Sequence, residues 1–384
     1  MLLNRAKLLA SPAANTVFTT VLTRGPVVRP EIARITGLSS AAVTKAVKPM
    51  IEAGYLEELT QGPRTMEGAG RPAHPLAVRA DREFFVGVKI TADELIGVVA
   101  DLTAQVRTAR RRPLSGRTVA QVVGDLAALV AELAAEYGER THHLGISVSG
   151  DVDRPGGVVR YSPFLGWRDV PLSQLVSEAT ELSVTVENDV KALTVAEQWF
   201  GEGVGTDSFA LATVGVGIGC GLVVGGRLVA GGYGVAGEIG HIPVAAGDGP
   251  DCHCGGRGCV EAIASEEAIV ARARAATGDP MLDMSAAIDR AHGGDDAVRA
   301  VFAEAGRAIG LGLGAMVNLV GPERVVVSGE GVAAYDLFAD DIRAAFTTQA
   351  FGAAARCPLV VRPLPWEEWA RGAAAVSIQS LFAA

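Results

Sequence analysis

The chain has 384 residues, 49% apolar and 20% charged, which excludes a disordered chain or a coiled coil and allows two or three domains. Its formal net charge of −9, taken alone, argues against nucleic acid as a partner. That average hides a split: residues 1–80 hold ten Lys/Arg against five Glu, a net of +5, so the remainder carries −14.

The N-terminal stretch is interrupted by Arg5 and Lys7 and is too short for a signal-peptide core, so a cytoplasmic protein is expected. Residues 13–22 carry apolar side chains at helical spacing, and Arg24-Gly25-Pro26 stops that helix. Pro30-Glu31 opens a short second helix with Ile32, Ala33 and Ile35 inward, and Gly37 ends it. Ser39 or Ser40 caps a third helix with Val43, Val47 and Met50 or Ile51 on its buried side. Pro49, inside that helix, removes one bond and predicts a kink or break near Lys48.

This is the spacing of a helix-turn-helix. Ser39, Ser40, Ala41, Thr44, Lys45 and Lys48, early on the third helix, are expected to reach base edges and phosphates in a major groove. Tyr55–Leu59 and His74–Arg79 read as the two strands of a wing, with Arg64 and Arg71 near its tip, suited to a narrow minor groove. Residues 1–80 are thus expected to form a winged helix-turn-helix DNA-binding domain.

From residue 81 on, strand-like and helix-like segments alternate, from FFVGVKI to a last strand, PLVVRPL. Such repeated ββα and βαβ units predict an α/β body of two similar lobes with a cleft between them. Residues 208–226 carry no charge over nineteen positions, the length of a membrane span, but six of them are Gly, which reads as strand and turn. No membrane partner is expected.

His241 followed by Cys252, Cys254 and Cys259 is a donor set suited to Zn²⁺ in a closed tetrahedral site, which implies a structural ion. His253 is a rival ligand, but between two ligating cysteines its side chain is expected to point away.

GVAGEIGHIPV (234–244), the CHCGGRGCVE loop, VENDVKALTVAE (186–197) and LGWRDVPL (165–172) resemble the ROK family of bacterial repressors and sugar kinases. The resemblance covers nearly the whole chain, and a winged head before such a body is the layout of the repressor subset. It implies an actin-like (sugar kinase/ribonuclease H-like) two-lobed fold over residues 81–384, with a sugar in the cleft and the zinc loop, 241–259, supporting one wall. A homodimer or a homotetramer is expected, because a single DNA-binding head has a small interface. Carried over residue by residue, the resemblance places Asn188 and Asp189 on sugar hydroxyls, Asp189 being the base in the kinases, with Glu238, His241 and Glu261 as further sugar contacts. Gly150, at a strand end, lies where the backbone can approach the ring. Phe164 stands where many members have Asn, which removes one hydrogen-bonding group and adds an apolar wall.

The phosphate-binding elements depart from the family's kinases. Their Asp-x-Gly-Gly-Thr loop is here Lys89-Ile90-Thr91-Ala92-Asp93, with Asp93 repelling phosphate and side chains blocking close backbone approach. Val216 replaces a Thr, and Glu330 replaces a Gly. The expectation is a sugar-responsive transcriptional regulator, a repressor of operator DNA with a small sugar or sugar-phosphate effector, and no enzyme. The alternative is an active ATP-dependent sugar kinase with an appended DNA-binding head.

Overall fold

The computed structural model describes residues 11–59, 74–245, 247 and 249–381. They form two compact units: the described residues up to Gly205 with those from Trp366 on, and Thr206–Pro365.

The first unit begins with three helices, α1 (Pro12–Arg24), α2 (Arg29–Thr36) and α3 (Ser40–Glu52). Gly37, at φ 70°, closes α2 in the left-handed region that glycine enters without strain. The Ser39 hydroxyl accepts the Ala42 N–H at 3.2 Å and caps α3. Val43, Val47 and Met50 turn inward as expected; of the inner residues foreseen on α2, only Ile32 is fully buried. The helix does not break at Pro49: α3 runs unbroken to Glu52. Pro49 lies on the exposed face, where the carbonyl that loses its partner is open to solvent, while Val47 and Met50 hold both sides of it to the core. Strands β1 (Leu56–Glu58) and β2 (Leu76–Val78) then pair antiparallel. Arg64 and Arg71 lie outside the described residues.

Next come β3 (Phe84–Ile90), β4 (Glu94–Asp101), β5 (Val106–Pro113), α4 (Val119–Ala135), β6 (Thr141–Val148), β7 (Asp151–Asp153), β8 (Val158–Ser162), β9 (Trp167–Val170), α5 (Leu172–Thr180), β10 (Ser183–Asn188) and α6 (Asp189–Phe200). A five-stranded sheet runs β10-β6-β3-β4-β5, parallel from β10 to β3 and antiparallel beyond. β7, β8 and β9 form a small antiparallel sheet. The expected PLVVRPL strand is not the last element. A helix, Glu368–Ser380, follows and lies on β3 and β6, so close that a Cβ at Gly145 would sit 1.8 Å from the Ala373 carbonyl oxygen. One apolar cluster joins Val17, Phe18, Val43 and Leu56 of the first helices and strand to Phe85 and Val98 of the sheet and Ala374 of that helix.

The second unit has its own five-stranded sheet, ordered β13-β12-β11-β14-β15: β11 (Phe209–Val214), β12 (Ile218–Val224), β13 (Arg227–Leu228), β14 (Val325–Ser328) and β15 (Leu359–Val361). The uncharged run is thus the β11–β12 hairpin. Helix Asp296–Val320 is long and apolar enough to cross a membrane, but 67% of its apolar window is buried within the fold, where Phe302, Ile309 and Leu313 belong to the core. It reads as a core helix.

Candidate functional site

On α3, the residues foreseen as groove-facing share one exposed side. Ser40, Ala41, Thr44, Lys45 and Lys48, with Pro49 and Glu52, line an open concavity of about 550 Å³. Thr44 is tied to its own helix, its hydroxyl donating to the Ser40 carbonyl at 2.9 Å.

A second group gathers at the N-terminus of α6 in the same unit. Asn188 caps that helix, its Oδ1 accepting the Lys191 N–H at 3.1 Å and its Nδ2 donating to the Gly150 carbonyl at 3.0 Å. Gly150 has φ 124°, and a Cβ there would meet the Tyr161 carbonyl oxygen at 2.1 Å, so glycine is required by the close approach of β8. Asp189 Oδ1 accepts the Val190 N–H at 2.9 Å, and Oδ2 accepts the Ser149 hydroxyl at 2.5 Å and the Lys89 ammonium. Burial pushes the Asp189 carboxyl up; the Lys89 charge and the hydrogen bonds from Lys89, Ser149 and Val190 outweigh it and hold the carboxyl below its ordinary value. Lys89 also donates to Ser149 Oγ at 3.1 Å and stands 5.3 Å from the centroid of the Trp369 ring. Phe164 lies in the β8–β9 turn, half-exposed.

Sequence reasoning treated Lys89 as a lost acid and missed it as the partner of Asp189. The signal was legible: one ammonium in an otherwise apolar, fully buried strand needs an anion. Asp93 pairs with Arg117 at 2.8 Å, both side chains exposed, and the Thr91 hydroxyl accepts the N–H groups of Asp93 (3.3 Å) and Glu94 (3.0 Å).

In the second unit, Glu238 leads into a single 3-10 turn, Ile239–His241, and its carbonyl accepts the His241 N–H at 3.1 Å. His241, Cys252, Cys254 and Cys259 each bring a donor atom within 4.8 Å of the others, a set that could hold a metal. Cys254 and Cys259 sulfurs are 3.9 Å apart, and His241 Nδ1 is 3.5 Å from the Cys252 sulfur. Gly255 (φ 88°) and Gly258 (φ 67°) give the loop its reversals. The Gly256 N–H, ahead of Cys252, draws the Cys254 thiol below its ordinary pKa. Burial, with hydrogen bonds from the other two cysteines, pushes Cys259 up to about 12. His253 turns to Glu261, its Nδ1 3.2 Å from Oε1, with its ring edge-on to His241 at 5.0 Å. Glu261 Oε2 accepts the Ile218 N–H at 2.9 Å, so both carboxylate oxygens are held. His241, His253 and Glu261 form a second candidate cluster of metal donors.

The class of protein is therefore a mixed α/β chain with a helical, basic-faced N-terminal part, a carboxylate cluster at a helix start and a Cys₃His donor set. A profile for the ROK family matches residues 85–380, and the chain belongs to that family. It is 28% identical over 340 residues to the DNA-binding transcriptional dual regulator NagC of Escherichia coli (strain K12), an alignment covering 86% of this chain and 83% of that protein. Among solved structures, a ROK family transcriptional regulator, a homolog of the E. coli MLC protein, matches with a TM-score of 0.81 and 25% identity, over 98% of this chain and 97% of that one. A ROK family glucokinase from Streptomyces griseus, in complex with glucose and AMPPNP, matches with a TM-score of 0.67 and 29% identity, over 77% and 99%.

Proposed function

We propose that this chain is a sugar-responsive transcriptional repressor. Residues 1–80 form a winged helix-turn-helix that binds operator DNA, and residues 81–384 form an actin-like body that binds a small sugar or sugar-phosphate effector. The observation that carries the reading is α3: a serine-capped helix whose exposed side offers Ser40, Ala41, Thr44, Lys45 and Lys48, followed by Pro49 and Glu52, with no aromatic side chain among them. Such a surface seats a helix in a major groove about 12 Å wide, with lysines left for phosphates. In support, the regulator match covers 98% of this chain and the glucokinase match 77%. A homodimer or homotetramer in the cytoplasm fits a two-fold operator.

Asp189 and Asn188 in the first unit, and Glu238, His241 and Glu261 in the second, are the residues proposed to satisfy sugar hydroxyls, because carboxylates and amides replace the water a polyol loses. Zinc is the metal proposed for His241, Cys252, Cys254 and Cys259. With Zn–S near 2.3 Å and Zn–N near 2.05 Å, a tetrahedron has S···S edges of about 3.8 Å and S···N edges of about 3.6 Å. The observed 3.9 and 3.5 Å fit. The ion would supply structural order rather than chemistry, holding Glu238 and Glu261 on either side of its loop.

Absence of kinase activity is part of the proposal. Thr91 takes the amides a phosphate would need. In the second unit, Glu330 replaces a glycine with its carboxylate 2.6 Å from where a Cβ on Gly215 would stand, and the cavity beside it is only about 60 Å³. Ligand sites usually need about 300 Å³ or more. The kinase alternative predicts ATP-dependent phosphorylation of D-glucose that Asp189→Asn abolishes.

The test is selection of genomic DNA fragments on the full chain, followed by anisotropy titration of the enriched site. Lys45→Ala and Lys48→Ala should each weaken binding and lower the salt-dependence exponent by about 1. Absence of any enriched sequence, or unchanged affinity for both variants at several salt concentrations, defeats the DNA assignment.

A further inference from the structure

Burying an ammonium in the middle of a sheet is strongly unfavourable unless an anion meets it. Lys89, 6% exposed on β3, has Asp189 for that purpose, and the groups around the pair come from several elements. From the end of β6 comes the Ser149 hydroxyl, bonded to both partners. From the C-terminal helix comes the face of Trp369. From β10 and β7 come Glu187 and Arg154, which pair with each other at 3.3 Å. Lys191, one turn into α6, bears on Glu187. Among the described residues, Lys89 is the charge that lowers the Asp189 carboxyl.

An ionised carboxylate has about four acceptor directions. On Asp189, Lys89 and Ser149 take Oδ2 and the Val190 N–H takes one side of Oδ1. One direction on Oδ1 is left, enough for one hydroxyl. We propose that Lys89 is a positioning residue that locks Asp189 as a permanently ionised acceptor for a single ligand hydroxyl, so that recognition there needs neither a bound nucleotide nor a particular pH. The proposal rests on the sugar reading of Asp189. It assigns to Lys89 a positive role where the sequence comparison saw only a lost acid.

Two measurements on the full chain test it. The first is chemical unfolding from pH 5 to 8 of the wild type, Lys89→Met, Asp189→Asn and the double variant. In the wild type, the stability Asp189 contributes is present above the unfolded carboxyl pKa and is lost only as pH falls through the depressed folded value, so it is constant over this range. In Lys89→Met, burial is opposed only by the hydrogen bonds from Ser149 and Val190, so the folded value rises above the unfolded one and stability falls as pH rises. The deficit against wild type should widen from pH 5 to 8 and vanish in the double variant. The second is calorimetric titration with D-glucose, D-xylose and N-acetyl-D-glucosamine. Wild-type affinity for the sugar that binds should stay within twofold between pH 5.5 and 8; Lys89→Met should vary at least fivefold, and Lys89→Arg should restore the flat profile. Should Lys89→Met fail to fold, Lys89→Gln is read in the same way. A wild type that binds none of the three sugars overturns the sugar reading and this proposal with it. A wild type that binds, with a Lys89→Met variant as tight and as flat in pH, overturns the role of Lys89 alone.

Discussion

Removing the metal proposed for His241, Cys252, Cys254 and Cys259 should destabilise the second unit by an amount that can be worked out in advance. The four donors come from a 3-10 turn, a loop and the residue that precedes helix Val260–Ala264. Short-range backbone bonds, among them Val244 N–H to the Gly258 carbonyl at 2.8 Å and Cys252 N–H to the Gly256 carbonyl at 2.8 Å, also tie the loop together. An ion present at about 1,000 times its dissociation constant stabilises the folded state by about 4 kcal/mol. The unit spans Thr206–Pro365, and for a body of about 160 residues each kcal/mol moves Tm by about 2–4 °C. Chelation should therefore lower its Tm by about 8–16 °C, read by scanning calorimetry, with one zinc per chain released to a colorimetric dye. The pH dependence has a definite sign. Cys252 and Cys259 both hold their protons above the ordinary thiol value, chiefly through burial, so binding must displace at least two protons. Apparent affinity should rise about 100-fold per pH unit between pH 6 and 8. A chain that carries no zinc, is unshifted by added zinc and tolerates Cys259→Ser without loss of Tm would refute the reasoning.

Gly145→Ala and Gly124→Ala should move stability in opposite directions. The first drives a methyl into the Ala373 carbonyl and should cost about 1–3 kcal/mol; the second, on the exposed side of α4 with nothing within 4 Å, should gain about 1 kcal/mol from helix propensity, both read by urea unfolding. Tyr55→Phe removes a buried 2.5 Å hydrogen bond to Glu83 and should cost about 1–3 kcal/mol in the same assay, through the acceptor left behind. Glu187 has its carboxyl raised by burial, against the pull of Arg154, so its contribution is complete below the unfolded pKa and is lost as pH rises through the folded one. Glu187→Gln should accordingly gain stability relative to wild type as pH goes from 4 to 8; a difference that is flat over that range removes Glu187 as a titrating group.

Much of the fold was legible because its signals are local. Apolar spacing marked α1 to α3, Gly37 marked the turn, and the run FFVGVKI marked a buried strand. Pro49 misled because the cost of a helix proline depends on which face it occupies and on what holds the helix on either side. The C-terminal helix was missed for another reason: EWARGAAAVSIQS has apolar residues nearly all round, which reads as a helix only when β3 and β6 present glycines for it to lie on.

The metal set and the carboxylates were readable as types and spacings, since Cys-x-Cys and its following cysteine lie within eight residues of one another. What each carboxylate does could not be read that way. Lys89 and Asp189 are one hundred residues apart, as are no local signals, and only the pairing of β3 with β6 and of β6 with β10 brings them together. The sequence by itself carried the motifs by which the chain resembles its family, the candidate DNA-facing helix and the donor set, because those rest on short motifs and local spacing. Only the tertiary structure decided that Asp189 is held by an ammonium, that Thr91 takes the N–H groups of Asp93 and Glu94 and that His253 stands against Glu261. Charge balance in a buried site is a property of neighbours in space.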